Sequence, residues 1–265
     1  MEQGTILNAF LITLFAGLAT GIGSLIGLFA KRTNTKFLSA SLGFAAGVMI
    51  YVSMIEIMPH AKGLMLDSMS EHNAGFIMTF GFVFGMIIMF FADKFLPQEH
   101  HCTVGKHSIS EQDNLYRMGK ITALALAVHN FPEGIATFTT SMTNTSAGLA
   151  AAFAIALHNI PEGISVSVPI YYATGDRKKA FRLSFLSGLV EPLGAVIGFL
   201  FLAPILNNVV MGSVLAIVAG IMVYISITEL MPTATGYGNN DYALIGLILG
   251  MGIMGLSLVL SGHHH

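Results

Sequence analysis

The chain has 265 residues, of which 54% are hydrophobic and only 10% charged, with a formal net charge of −2. Soluble domains carry about 25% charged residues, so a chain this apolar lacks the polar surface to face water, and a lipid bilayer is its expected solvent. A near-neutral balance without a basic excess excludes nucleic acid as a partner.

A spanning helix needs roughly 20 apolar residues. Eight such spans follow in chain order: 5–30, 37–60, 73–96, 115–141, 146–172, 180–203, 209–231 and 241–261. The expected fold is all-α, a polytopic membrane protein with a single transmembrane domain over residues 1–262. Met1 to Gln3 lack a positive n-region and no small-x-small cleavage site follows, so no cleaved signal peptide is expected. Turn and charge signals separate the spans: Lys31-Arg32-Thr33-Asn34, Lys62-Gly63, the polar stretch 97–114, Thr143-Asn144, Gly175-Asp176-Arg177, Asn207-Asn208 and residues 236–241. Cys102 is the only cysteine, which rules out an internal disulfide. The terminal His263-His264-His265 reads as the stub of an affinity tag.

Orientation follows from the basic residues. Lys31, Arg32, Lys36, Lys94, Lys106, Arg117, Lys120, Arg177, Lys178, Lys179 and Arg182 flank loops 1–2, 3–4 and 5–6; that is eleven of the twelve, and only Lys62 lies elsewhere. Those three loops are expected in the cytoplasm and both termini outside. His100, His101, Cys102 and His107 then lie in the cytoplasmic loop 97–114, as a weak metal buffer or a plain polar linker.

The chain also repeats itself. Residues 47–61 (GVMIYVSMIEIMPHA) match residues 220–234 (GIMVYISITELMPTA) without a gap, with eight of fifteen identical, Glu56/Glu229 and Pro59/Pro232 among them. His129-Asn130-Phe131-Pro132-Glu133-Gly134 in span 4 returns as His158-Asn159-Ile160-Pro161-Glu162-Gly163 in span 5. An odd number of crossings separates the members of each pair, so they run in opposite directions. This predicts inverted repeats relating spans 1–4 to spans 5–8 about an axis in the membrane plane, an architecture of secondary transporters. Glu191 has no partner in these motifs.

Five carboxylates fall inside spans: Glu56, Glu133, Glu162, Glu191 and Glu229. An acidic side chain at a helix centre costs on the order of 3 kcal/mol, so five would cost roughly 15 kcal/mol unless something offsets it. A cation, protonation or water in a cavity could do so. His129, Asn130 and Glu133 share one helical face, as do His158, Asn159 and Glu162. Pro132 and Pro161 cannot donate to the carbonyls of Val128 and Leu157, and a freed carbonyl is tolerated at membrane depth where it lines a cavity. Imidazole, amide and carboxylate together form a ligand set for zinc, iron, copper or nickel, whereas calcium and magnesium call for oxygen alone. Facing copies could share their glutamates as bridges in a two-metal site, with Glu191 a further ligand. Met49 offers a soft thioether, though methionine at helical spacing is more often core. Glu56 and Glu229 read either as an entrance and an exit or as caps of hydrated helix ends. His60 is a capture ligand or an interfacial residue, and Ser187 is expected to orient Glu191.

The paired His-Asn-x-Pro-Glu-Gly motif, with Ser41-Leu42-Gly43-Phe44-Ala45-Ala46-Gly47 and the extensions HNFPEGIATF and HNIPEGISV, resembles the ZIP (Zrt-, Irt-like) metal transporters, most of all their bacterial zinc-uptake branch. The resemblance runs from span 1 to span 8. It implies eight helices with inverted repeats, uptake into the cytosol, and a central binuclear site of His129, Asn130, Glu133, His158, Asn159, Glu162 and Glu191. Some family members carry Asp where this chain has Asn159, which lowers the negative charge at the second position here. Zinc is the implied cargo, with ferrous iron, manganese and cobalt beside it; no cofactor is expected. The expected partners are divalent metal ions and the lipid bilayer, with a homodimer as the candidate assembly. Alternating access, with spans 1, 4, 5 and 6 carrying the metal, follows by family analogy. Metal binding is expected to release protons and to weaken as pH falls. The alternatives are an intramembrane metal-dependent hydrolase, which a duplicated His-x-x-x-Glu does not favour, and a sodium/proton antiporter, for which His129 and His158 have no use.

Overall fold

The computed structural model describes residues 3–29, 34–95, 111–202 and 207–260. Lys31, Arg32, Lys106, the histidines and cysteine of the 3–4 loop, and His263 to His265 lie outside the described residues. Eight long helices make up the rest: α1 (Gln3–Leu28), α2 (Thr35–Leu66), α3 (Glu71–Phe95), α4 (Glu111–Thr143), α5 (Thr145–Thr174), α6 (Arg177–Ile197, widened into a π-turn over Gly198–Leu202), α7 (Asn208–Gly236) and α8 (Asn240–Leu260). Side chains start four of them by accepting a backbone N–H of the first turn: Asn34 from Phe37, Asn144 from Ala147, Asp176 from Lys179 and Asn207 from Val210. Helix α5 stops at Gly175, whose φ of 71° is left-handed and costs a glycine little.

Seven of the eight are long and apolar enough to cross a membrane. The eighth, α4, has the length but carries Asp113, Arg117, Lys120, His129, Asn130 and Glu133. It is shielded by α1, α5, α6 and α7, against which it packs. Large apolar residues face outward at helical spacing on the periphery, as Leu7, Leu11, Phe15, Leu18 and Ile22 do on α1. An apolar exterior of this kind suits lipid, and the chain is a multi-pass membrane protein.

Two helices outrun their expected ends. Lys62-Gly63 is no break: α2 continues to Leu66, and α7 likewise passes residue 231 to reach Gly236. In each, a π-turn (Val52–Ile57 and Ser226–Leu230) sits just before Met-Pro, and the N–H of Met58 or Met231 reaches back five residues to the carbonyl of Ser53 or Ser226. The wider turn makes room for a proline that would otherwise end the helix. Residues 111–114, expected in the 3–4 loop, form the first turn of α4.

The inverted repeat is visible in the packing. Helix α1 packs on α5 as α6 packs on α4, and α2 packs on α8 as α7 packs on α3; α4 meets α5, α1 meets α6 and α2 meets α7 across the axis. Spans 1–4 are therefore related to spans 5–8, with α1, α2 and α3 answering to α6, α7 and α8, and α4 to α5. Close approaches of helix backbones fix the register residue by residue. Gly85 lies against the carbonyl of Ile217, and its mate Gly250 against that of Phe44. Gly23 lies against the carbonyl of Ile160, and its mate Gly194 against that of Phe131. No side chain fits at any of these crossings. The register extends the repeat to α1 and α6, where residues 15–27 match 186–198 at five of thirteen positions.

Candidate metal centre

Helices α4 and α5 form an antiparallel hairpin through Asn144, which brings the two motifs face to face in the middle of the bundle. His129 and Glu133 lie one turn apart, with Nε2 to Oε2 at 3.2 Å. The other oxygen of Glu133 meets Nε2 of His158 on α5 at 3.1 Å. Nε2 of His129 is also 3.5 Å from Oε1 of Glu162. The two imidazoles are thus linked through a shared carboxylate, their ring centroids 6.3 Å apart. Ligand-type atoms of His129, Glu133 and His158 all lie within 4.8 Å of one another. None of the seven residues expected from the motifs is more than 6% exposed. Pro132 and Pro161 sit inside continuous helices, so each motif projects its side chains from an unbroken segment.

Neighbouring helices hold the asparagines. The amide of Asn130 donates to the carbonyl of Ser187 at 3.0 Å, and that of Asn159 to the carbonyl of Ala16 at 2.9 Å. With their nitrogens engaged by α6 and α1, the Oδ1 atoms of both are buried and accept no hydrogen bond among the described residues, as are Oε2 of Glu162 and Oε1 of Glu191. Buried polar atoms of native proteins normally have partners. Four such oxygens, concentrated beside two imidazoles, mark a place suited to a cation.

Asn159 also donates to Oε2 of Glu191 at 2.8 Å. It is this amide that orients Glu191; the expectation that Ser187 does so is overturned, because its hydroxyl donates to the carbonyl of Ser184. Glu56 is no cap at a helix end. The π-turn of α2 points it inward, and its Oε2 comes within 3.9 Å of Nδ1 of His158. Helical periodicity hides this placement, since a π-turn shifts every following residue around the axis. Its mate Glu229 sits half-buried in the equivalent π-turn of α7, and Met49 and its mate Met222 are buried in the core.

A cavity of about 100 Å³ leads away from Glu133 between α2, α4, α5 and α7, past Glu56, Thr137 and Thr140 to the exposed His60. Periodicity gave no sign of Thr137 or Thr140, whose position follows from the packing of α4 on α5.

A profile of the family described as ZIP Zinc transporter matches residues 95–258. The chain belongs to the ZIP family. This ZIP chain is 52% identical over 257 residues to the zinc transporter ZupT of Streptococcus mutans, covering 96% of this chain and 97% of that one. It is similar to a greater length in the zinc transporter ZupT of Lysinibacillus sphaericus (51% identity over 267 residues, 97% and 99% covered) and in that of Clostridium perfringens (50% over 279 residues, 98% of each). ZIP proteins are transporters rather than enzymes, so the hydrolase alternative falls.

Proposed function

We propose that this ZIP chain takes up zinc, and with it ferrous iron, manganese and cobalt, across the cytoplasmic membrane into the cytosol. The observation that carries this reading is the convergence of His129, Glu133, His158 and Glu162 from two antiparallel helices in a buried centre. Two imidazoles with carboxylate oxygens suit a borderline-soft divalent cation better than sodium, calcium or magnesium. The names of the relatives point to the same cargo. Zinc here is substrate, not a resident cofactor.

In this reading His129, Glu133, His158 and Glu162 hold one ion. Glu133 and Glu162 bridge to a second, completed by Asn130, Asn159 and Glu191. The buried oxygens without hydrogen bonds on the last three support their assignment. Sidedness rests on charge: Lys36, Lys94, Arg117, Lys120, Arg177, Lys178, Lys179 and Arg182 cluster at one end of the bundle, which is then cytoplasmic, while Lys62 marks the outer end. The cavity past Glu56 and His60 opens toward that outer end. Ala136, Thr140 and Ala151 along it are half-buried, whereas their mates Ser165, Pro169 and Thr122 are buried. Exchange of these two arrangements about the axis is alternating access.

The test is zinc flux into proteoliposomes. Glu133→Ala, Glu162→Ala and His158→Ala are each expected to lose about ten-fold or more, since a missing ligand leaves its neighbours without a shared ion. Wild-type flux in all three would overturn the assignment.

A further inference from the structure

Three pairs of site residues obey the two-fold axis: His129 with His158, Asn130 with Asn159, and Glu133 with Glu162. Glu191 does not. The register that pairs Gly17 with Gly188 and Gly23 with Gly194 puts Thr20 at its mate position. Backbone contacts agree. Gly134 lies against the carbonyl of Glu191, and Gly163 against the carbonyl of Thr20. The carbonyl that holds Asn130 belongs to Ser187, one turn before Glu191, and the one that holds Asn159 belongs to Ala16, one turn before Thr20. Positions 20 and 191 therefore stand in equivalent places about the centre and differ only in what they offer.

Glu191 takes the amide of Asn159. Thr20 is fully buried, and its Oγ1 makes no hydrogen bond among the described residues. Oδ1 of Asn130, the mate of the asparagine that engages Glu191, is in the same condition. A buried hydroxyl left without a partner is costly. This one lies at the crossing of α1 with α6, against Gly188, one turn from the Ala16 carbonyl that holds Asn159.

We propose that Thr20 is a specificity-determining position of the ion site: the neutral counterpart of Glu191, it offers a hydroxyl oxygen to the hydration sphere of a divalent cation and keeps the site one carboxylate short of two-fold symmetry. This rests on the reading of Glu191 as a ligand. Three carboxylates face the cation from Glu133, Glu162 and Glu191, and a fourth at position 20 would bind harder ions more firmly and release them more slowly. A glutamate at this position has a precedent in the fold, because Glu191 occupies the mate position against Gly17.

The experiment moves the carboxylate across the axis. Glu191→Thr, Thr20→Glu, the double variant, Thr20→Val and Thr20→Ser are reconstituted in proteoliposomes, and zinc and manganese flux are measured alongside the thermal midpoint in detergent. Glu191→Thr is expected to lose about ten-fold or more of its zinc flux, and the double variant to recover most of that loss. Thr20→Glu alone should shift the manganese-to-zinc ratio toward manganese several-fold and lower maximal flux. Should the double variant fail to fold, Thr20→Val is expected to change the apparent KM for zinc several-fold while Thr20→Ser keeps it. A folded double variant as inactive as Glu191→Thr, or Val and Ser variants both matching wild type, would overturn the proposal. Wild-type flux in Glu191→Thr would instead remove the ligand role of Glu191, and this inference with it.

Discussion

Gly134 and Gly163 directly follow the two motif glutamates, and each lies against a carbonyl of the crossing helix, that of Glu191 for one and of Thr20 for the other. A methyl at either position overlaps that oxygen and forces the helices apart. Gly134→Ala is expected to cost about 1–3 kcal/mol, read as a lower thermal midpoint in detergent; an unchanged midpoint would show that the crossing is loose. At this scale the sequence was informative about His129 and Glu133, whose spacing alone puts them on one face. It told only half of the asparagines, because which end of the amide faces the centre depends on carbonyls of α1 and α6 far away in the chain. Thr20 was illegible, since its meaning comes from a mate 171 positions later that shares neither charge nor size.

The element that sequence reading misjudged most is the proline-bearing end of α2 and α7. Span 2 is expected to stop at residue 60, before Lys62-Gly63, and span 7 at residue 231, before Pro232. Both helices instead run on through a π-turn. The extra residue in the turn rotates Glu56 toward His158. Removing Met54, an exposed residue of that turn, should restore regular α-helical winding, withdraw the Glu56 carboxylate and reduce zinc uptake several-fold without loss of fold. Uptake at the wild-type level in that deletion would show that Glu56 has no part in delivering the ion. The remaining spans were legible to within a few residues, because length and hydropathy suffice where no polar cluster interrupts them. Helix α4 is the instructive exception: too polar over its full length to cross a membrane on composition, it needs α1, α5, α6 and α7 around it to shield His129, Asn130 and Glu133.

Across the whole molecule, the pairing of spans emerged from two matched segments, but its order needed the packing. Spans 2 and 7 and spans 4 and 5 were visible as pairs; α1 with α6 and α3 with α8 were not, since small residues at helix crossings carry the correspondence and apolar positions between them drift. Sidedness belongs to this scale and can be checked directly. In a Cys102→Ser background, Asp67→Cys should be labelled by an impermeant thiol reagent in intact cells, and Lys178→Cys only after permeabilisation. The reverse pattern would invert the topology.

The shared register of the two halves has a consequence for energetics. In the proposed alternating access, each helix contact broken as the cavity passes from one membrane face to the other would be replaced by its mate, so most of the packing free energy would cancel between the end states. Neither state can then be far below the other, and microscopic reversibility leaves the protein setting the rate of exchange. In that reading the direction of net movement is set by gradients across the membrane.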